Sequence, residues 1–212
     1  MDSRVKNIIE WGYCILIAVI LAFLFRYFVG TPTIVRQRSM FPTLQEGERV
    51  ILNRTFRIGG LKYPNKGDIV TFEAPTSIYE VYQADQTNPV AKYENEPNNV
   101  FSKFVHYVLE IGKRSYIKRV IALPGDHVEI KDNSVFINGE KLDEPYVQDG
   151  VKIESKVFTD FTVPDGYIFA MGDNREHSTD CREFGCVPLE KLEGVVVFRF
   201  WPFSAWGAVE SK

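Results

Sequence analysis

Hydrophobic positions fall in two regimes along the chain. From Trp11 to Phe25 the sequence reads WGYCILIAVILAFLF, without a charge. The apolar residues occupy every face of a helix rather than one stripe. The window 8–29 would span roughly 33 Å as a helix, enough to cross a bilayer. Glu10 and Arg26 sit near its ends, where long side chains reach the headgroups. Trp11 and Tyr27 stand where interfacial anchors stand. A buried core helix is the alternative, but it would show a stripe. A cleavable targeting sequence would need small residues flanking a cut site, and RYFVGTPT supplies Val29 and Thr31 without an Ala-x-Ala pair. The pattern predicts an uncleaved transmembrane anchor at 8–29, a short N-terminus at 1–7 and a folded domain at 31–212.

Beyond the anchor the pattern changes to short β-branched runs at 49–52, 68–72, 116–123, 127–130, 134–138, 167–171 and 195–200. Turn-forming clusters separate them: Asn65-Lys66-Gly67-Asp68, Pro124-Gly125-Asp126, Asn138-Gly139 and Pro164-Asp165-Gly166. Asn138-Gly139 between two runs predicts a two-residue hairpin. The expected fold class is mainly β: an antiparallel-sheet domain with a β-rich annex at about 127–162, preceded by one helix.

Residues 74–115 break this pattern. The stretch is polar and carries Pro75, Pro89 and Pro97. Within it, VFSKFVHYVLEIG at 100–112 places Phe101, Phe104, Val105, Val108 and Leu109 at helical spacing. It joins two runs, 68–72 and 116–123, that should pair as a hairpin, and it is far longer than a turn. It is read as an insertion, either packed on its own domain or lying at a membrane surface, that could be replaced by a short turn without loss of the chemistry.

A net charge of -3 argues against a general nucleic-acid binder. Three cysteines are too few for a disulfide framework, and whether Cys181 and Cys186 pair is left open. The histidines, His106, His127 and His177, lie far apart with no HExxH pattern, so no histidine-built metal site is expected. Orientation is equivocal by charge: Arg4 and Lys6 precede the span, whereas Arg26, Arg36 and Arg38 close and follow it.

Three polar segments carry candidate chemistry. Ser39 lies in RSMFPTL just after the span. In YIKRVIALPGD, strand alternation puts Tyr116, Lys118, Val120 and Ala122 on one face. Lys118 is the one charge there, and desolvation would favour its neutral form, a competent general base. A snorkelling or salt-bridged lysine fits the same pattern. Arg119 faces the other way and reads as structural. In MGDNREHSTDCREFG, a dense loop after an apolar run, Asp173, Asp180, Arg119 and Arg182 could form ion pairs and Ser178 could hydrogen-bond.

Taken in order, SMFPTL, YIKRVIALPGD and MGDNREHSTDCREFG, with GDIV at 67–70 and an N-terminal anchor, strongly resemble the type I signal peptidases, membrane-bound Ser/Lys proteases. The resemblance covers nearly the whole chain after Trp11. It implies Ser39 as nucleophile, Lys118 as general base and Ser178 as the hydroxyl orienting that lysine. It implies Asp180 and Arg182 as a structural pair with Asp173 and Arg119 in support. Met40, Tyr116 and Ile117 would line shallow apolar walls for substrate. The implied reaction removes signal peptides from exported preproteins after small residues at -1 and -3, through an acyl-enzyme, without metal or organic cofactor. The implied partners are those preproteins and the lipid bilayer, with the domain on the extracytoplasmic side. Trp201, Phe203 and Trp206 are read either as core or as bilayer contacts.

One departure concerns Gln37, where the family often has Ser or Gly beside the oxyanion. The insertion at 74–115 is the other. Three competing readings are weighed. One is a soluble Ser/Lys autoproteolytic domain, which would lack the span. Another is a serine protease using His127 or His177. The third is an inactive membrane-anchored β-domain that binds exported peptides.

Overall fold

The computed structural model describes residues 3–57, 62–78, 85–94, 97–110, 112–153 and 156–210. Helix α1 (Ser3–Phe28) comes first. Its segment Lys6–Phe28, 23 residues, is long and apolar enough to cross a membrane, and none of its most apolar window is buried against the rest of the chain. Ile8, Trp11, Ile17 and Leu21 all face outward. Such a helix needs an apolar solvent.

Among the described residues twelve strands follow: β1 (Gly30–Ile34), β2 (Arg49–Asn53), β3 (Ile69–Glu73), β4 (Ser115–Ala122), β5 (His127–Lys131), β6 (Ser134–Ile137), β7 (Glu140–Lys141), β8 (Asp160–Thr162), β9 (Tyr167–Met171), β10 (Val187–Pro188), β11 (Leu192–Trp201) and β12 (Gly207–Ala208). The larger sheet runs β1-β2-β11-β3-β4-β9-β10, with β12 beside β11; the smaller runs β7-β6-β5-β8. Every named pair is antiparallel. This is the mainly antiparallel β architecture that the run-and-turn pattern predicts. At the Asn138-Gly139 turn both residues have positive φ, 54° and 83°, and Ile137 faces Glu140. That is the two-residue hairpin expected of the pair.

β1 was not among the expected runs. Its sequence, GTPTI, has no apolar alternation and contains a proline. It is a strand because it lies at the sheet edge, where the missing N–H of Pro32 costs no ladder bond. β2 crosses β11 closely: a Cβ at Gly194 would lie 2.8 Å from Leu52 Cβ. The main core fills the space where the two sheets meet, with Phe158, Phe161, Phe169, Val128 and Ile168 among its members. A smaller core of Val35, Met40, Leu44, Val50, Ile69 and Ile117 lies beneath the loop after β1.

β4 sits between β3 and β9, with Lys118 opposite Val70 and Arg119 opposite both Ile69 and Met171. Bonding on both sides makes this strand a rigid mount. The loop that leaves β9 after Met171 starts level with Arg119, one residue from Lys118.

The insertion is bound into the domain, the packed placement of the two expected for it, and its contacts weigh against replacing it by a short turn. Val90 bridges Cys186, and Gln86 Nε2 donates to the Val157 carbonyl at 2.7 Å. Tyr93 Oη donates to the Glu73 carbonyl at 3.0 Å. Lys113 pairs with Glu193 at 2.9 Å, and Glu110 pairs with the buried Arg54 at 2.7 Å. The helical stripe forms α2 (Val100–Lys103), capped by the Asn99 side chain, and continues as a π-turn over Phe104–Leu109. Residues 79–84, 95–96 and 111, and the Val108 side chain, lie outside the described part of the insertion.

Replacing 74–115 by an Asn-Gly turn would remove Glu110 and Lys113 together, leaving Arg54, Glu73 and Glu193 short of counter-charges. Stranding one buried charge costs about 3–5 kcal/mol. The deletion variant is therefore expected to lose its cooperative thermal transition. A melting temperature like that of the intact chain would restore the accessory reading.

The cysteine question is answered. Cys14, Cys181 and Cys186 are free thiols. Burial raises the pKa of Cys181 and Cys186 above the usual thiol range, which makes them unreactive.

Candidate active site

The loop after β1 is held from both sides. Val35 N–H donates to the Glu48 carbonyl at 2.9 Å and Gly47 N–H to the Val35 carbonyl at 2.8 Å, closing its base. Met40 and Leu44 point down into the smaller core. Ser39, between the exposed Arg38 and buried Met40, is itself 5% exposed. Its carbonyl accepts from Asn174 N–H at 3.0 Å, and Asn174 Nδ2 donates to the Arg38 carbonyl at 3.2 Å. The loop carrying Ser39 is thus stitched to the loop leaving β9.

Lys118 reaches the same point from β4. Its Nζ lies 2.7 Å from Ser39 Oγ and donates to the Ile117 carbonyl at 3.0 Å. The side chain is 1% exposed, and the Tyr116 ring lies 5.1 Å from Nζ. Burial lowers the lysine pKa from 10.5 to about 8, against the pull of the Asp180 carboxylate. Desolvation dominates because an ammonium leaving water loses more than one carboxylate at a distance returns. The amine next to Ser39 can therefore exist neutral near physiological pH.

The β9 loop is fixed by two buried ion pairs and their extensions. Arg119 Nε and Nη2 grip Asp173 at 2.9 and 2.8 Å, while Thr43 Oγ1 donates to Asp173 at 2.5 Å. Arg119 also donates to the Gly67 carbonyl at 2.8 Å and lies 4.0 Å over the Tyr146 ring. Arg182 grips Asp180 at 2.8 and 2.9 Å and donates to the Arg175 carbonyl at 2.7 Å. Asp180 also accepts from Gly172 N–H at 3.0 Å, and Arg175 Nε donates to the Gly172 carbonyl at 3.0 Å. Arg175 pairs in turn with Glu144 of the segment after β7. Burial alone would raise the Asp180 pKa, but Arg182 and the Gly172 N–H more than offset this and hold it at about 2.

Four of the residues expected at the site are placed as follows. Met40 is fully buried and presents no surface to a substrate, because the residue after Ser39 turns inward to anchor the loop. Ile117 is nearly buried, and Tyr116 is half-buried and stacks on Phe184. Ser178 Oγ is buried without a hydrogen-bond partner among the described residues, instead of bonding Lys118. A buried hydroxyl left unpaired costs about 1–3 kcal/mol, so this position calls for a partner that the described side chains do not supply. Gln37 is exposed on the loop. His177 is exposed on the β9 loop, and His127 lies 2.8 Å from Asp160 in the smaller sheet. His127, Asp160 and Glu129 draw together on that sheet, but Lys131 already lies on Glu129 at 2.8 Å.

Thr43, Asn174, Arg175, Tyr146, Glu144 and Gly172 were not singled out from sequence, and all belong to the frame of the site. Gly172 is the tightest of them. A Cβ there would lie 2.5 Å from the Ser39 carbonyl oxygen and closer still to Ser178 Oγ. Its place at the head of the polar loop was the one available signal. An open cleft of about 560 Å³, lined by Arg38, Phe41, Gln45, Glu46, Asn174 and His177, adjoins Ser39.

Residues 8–201 match a family model described as signal peptidase, peptidase S26. The chain is 34% identical over 211 residues to signal peptidase I T of Bacillus subtilis, covering 95% of this chain and 90% of that protein. It is 36% identical to signal peptidase I S of the same organism, covering 95% and 94%. For signal peptidase IB of Staphylococcus aureus the identity is 33%, covering 94% and 92%. A crystal structure of a signal peptidase I from Enterococcus faecalis V583 aligns at 28% identity and a TM-score of 0.40, over 63% of this chain and 97% of that one.

Proposed function

The chain belongs to the signal peptidase family, peptidase S26, and from that premise we propose that it cleaves signal peptides with Ser39 as nucleophile and Lys118 as general base. The carrying observation is the 2.7 Å approach of Lys118 Nζ to Ser39 Oγ in a site that favours the neutral amine.

Neutral Lys118 accepts the Ser39 hydroxyl proton as Oγ attacks the scissile carbonyl carbon. The oxyanion is met by the Ser39 backbone N–H. The resulting ammonium passes its proton to the departing amine, leaving an ester on Ser39. Lys118, neutral again, then deprotonates the water that hydrolyses this ester. Ser178 Oγ, buried and unpaired, serves as the acceptor that holds Lys118 while it carries the extra proton. The Asp180–Arg182 and Asp173–Arg119 pairs keep both loops in register with β4.

Helix α1 anchors the enzyme in the cytoplasmic membrane as its single span, with 31–212 on the extracytoplasmic side, where signal-peptide cleavage sites emerge. Sharing a bilayer with the substrate raises its effective concentration. Trp201, Phe203 and Trp206 are exposed and packed on one another, which favours bilayer contact over a core role. The substrate enters as an extended strand with small side chains at -1 and -3.

The test is a pH profile on a soluble signal-peptide substrate. Only neutral Lys118 can act as the base, so kcat/KM should rise about tenfold per pH unit below its pKa and level off above about 8. A profile already flat by pH 7, governed by a group in the histidine range near 6.5, would overturn the lysine base.

A further inference from the structure

The end of the anchor and the insertion meet at one carboxylate. Glu110 ends the insertion's helix in the left-handed conformation, with φ at 58°. Its Oε2 accepts from Arg26 of the last turn of α1 at 3.1 Å, and its Oε1 pairs with Arg54, just beyond β2, at 2.7 Å. Arg54 N–H in turn donates to the Val29 carbonyl at 3.0 Å. One side chain therefore ties the anchor, the catalytic sheet and the insertion together.

The helix behind Glu110 has two unlike faces. His106 Nε2 lies 3.0 Å from Glu73, and the Tyr107 ring meets Lys113 and Lys191 at 5.7 and 5.8 Å. Away from that face, Val100, Phe101 and Phe104 are 86%, 77% and 48% exposed. At about 1.5 Å per residue, Phe101 lies within roughly 14 Å of Glu110. The apolar face is thus held close to the point where α1 leaves the hydrocarbon, and exposed Lys103 beside it suits anionic headgroups.

We propose that the Val100–Leu109 helix docks on the bilayer surface beside the anchor, with Glu110 as the strut between them. This rests on the reading of α1 as a membrane span. Its continuity with the anchor, through Arg26, favours a lipid surface over a protein partner. The strut restricts rotation of the catalytic sheet about the anchor, and so holds Ser39 at one height above the membrane.

The experiment uses the full chain with Cys14→Ser and Phe101→Cys, labelled with an environment-sensitive fluorophore. Cys181 and Cys186 are buried and stay unlabelled. The protein is placed in phosphatidylcholine–phosphatidylglycerol vesicles with and without headgroup-nitroxide lipid. The probe at 101 should emit blue-shifted light and lose about half its intensity to the nitroxide. A probe at Lys141→Cys, on the exposed β7, should lose little. Adding Arg26→Gln, an exposed change that spares the Arg54–Glu110 pair, should markedly reduce quenching at 101. Equal, water-like behaviour at 101 and 141 overturns the docking and points to water or a protein as the neighbour of Phe101. Full quenching that survives Arg26→Gln overturns the strut. Neither readout needs catalytic activity, so the outcome is separate from the proteolytic reading.

Discussion

Ser39→Ala and Lys118→Met are each expected to lower kcat/KM on a signal-peptide substrate by at least about a thousandfold, and the double variant to be no worse than either. The two side chains act as one unit at 2.7 Å: without the amine the hydroxyl keeps its proton, and without the hydroxyl the amine has nothing to activate. Stability should move the other way for Lys118→Met. A lysine pKa of about 8 in the fold against 10.5 in the unfolded chain means that the unfolded state binds more protons between these values. Stability therefore rises with pH through that window, and below about pH 8 the fold bears a penalty of up to about 3 kcal/mol. Methionine removes the charge that carries the penalty, although it also gives up the bond to the Ile117 carbonyl. An inactive Lys118→Met protein with a melting temperature at or above that of the intact chain is the expected result. Substantial cleavage by this variant would eliminate the dyad and return attention to His177.

Gly172→Ala is expected to cost about a hundredfold or more in kcat while the domain stays folded. The new methyl would press on the Ser39 carbonyl and on Ser178 Oγ, while Asp180, Arg175 and Asn174 pin the backbone around it. Gly172 cannot yield, so the Ser39 loop must move, and a shift of a fraction of an ångström breaks the approach to Lys118. The split between kcat and KM is the diagnostic measurement. A pure rise in KM, with kcat intact, would place the strain on the substrate groove and not on the dyad.

Several features follow from local rules alone. The apolar run of α1 has no polar stripe and is left unburied by the rest of the described chain, long enough to cross a membrane. The strand runs and the Asn138-Gly139 hairpin follow from β-branched residues alternating with turn formers, which is short-range chemistry. Lys118 was legible as the lone charge on an otherwise apolar strand face. Its coupling to Ser39 came from resemblance, because 79 residues separate them and no local pattern spans that distance.

What the tertiary structure decided is where long-range constraints act. GTPTI is a strand only because it finds a sheet edge, and Met40 is core only because its loop turns inward at Ser39. The flanking hairpin makes the insertion look replaceable by a turn, yet Glu110 and Lys113 neutralise charges that the rest of the fold buries. Gly172 carries no local signal beyond its place at a loop start, since its requirement arises from two backbone segments meeting in space. Sequence alone determined the long apolar helix, the β class and the chemical types available to the site. Packing decided which of those groups touch, because contact between distant segments depends on sheet order and register and not on neighbouring residues.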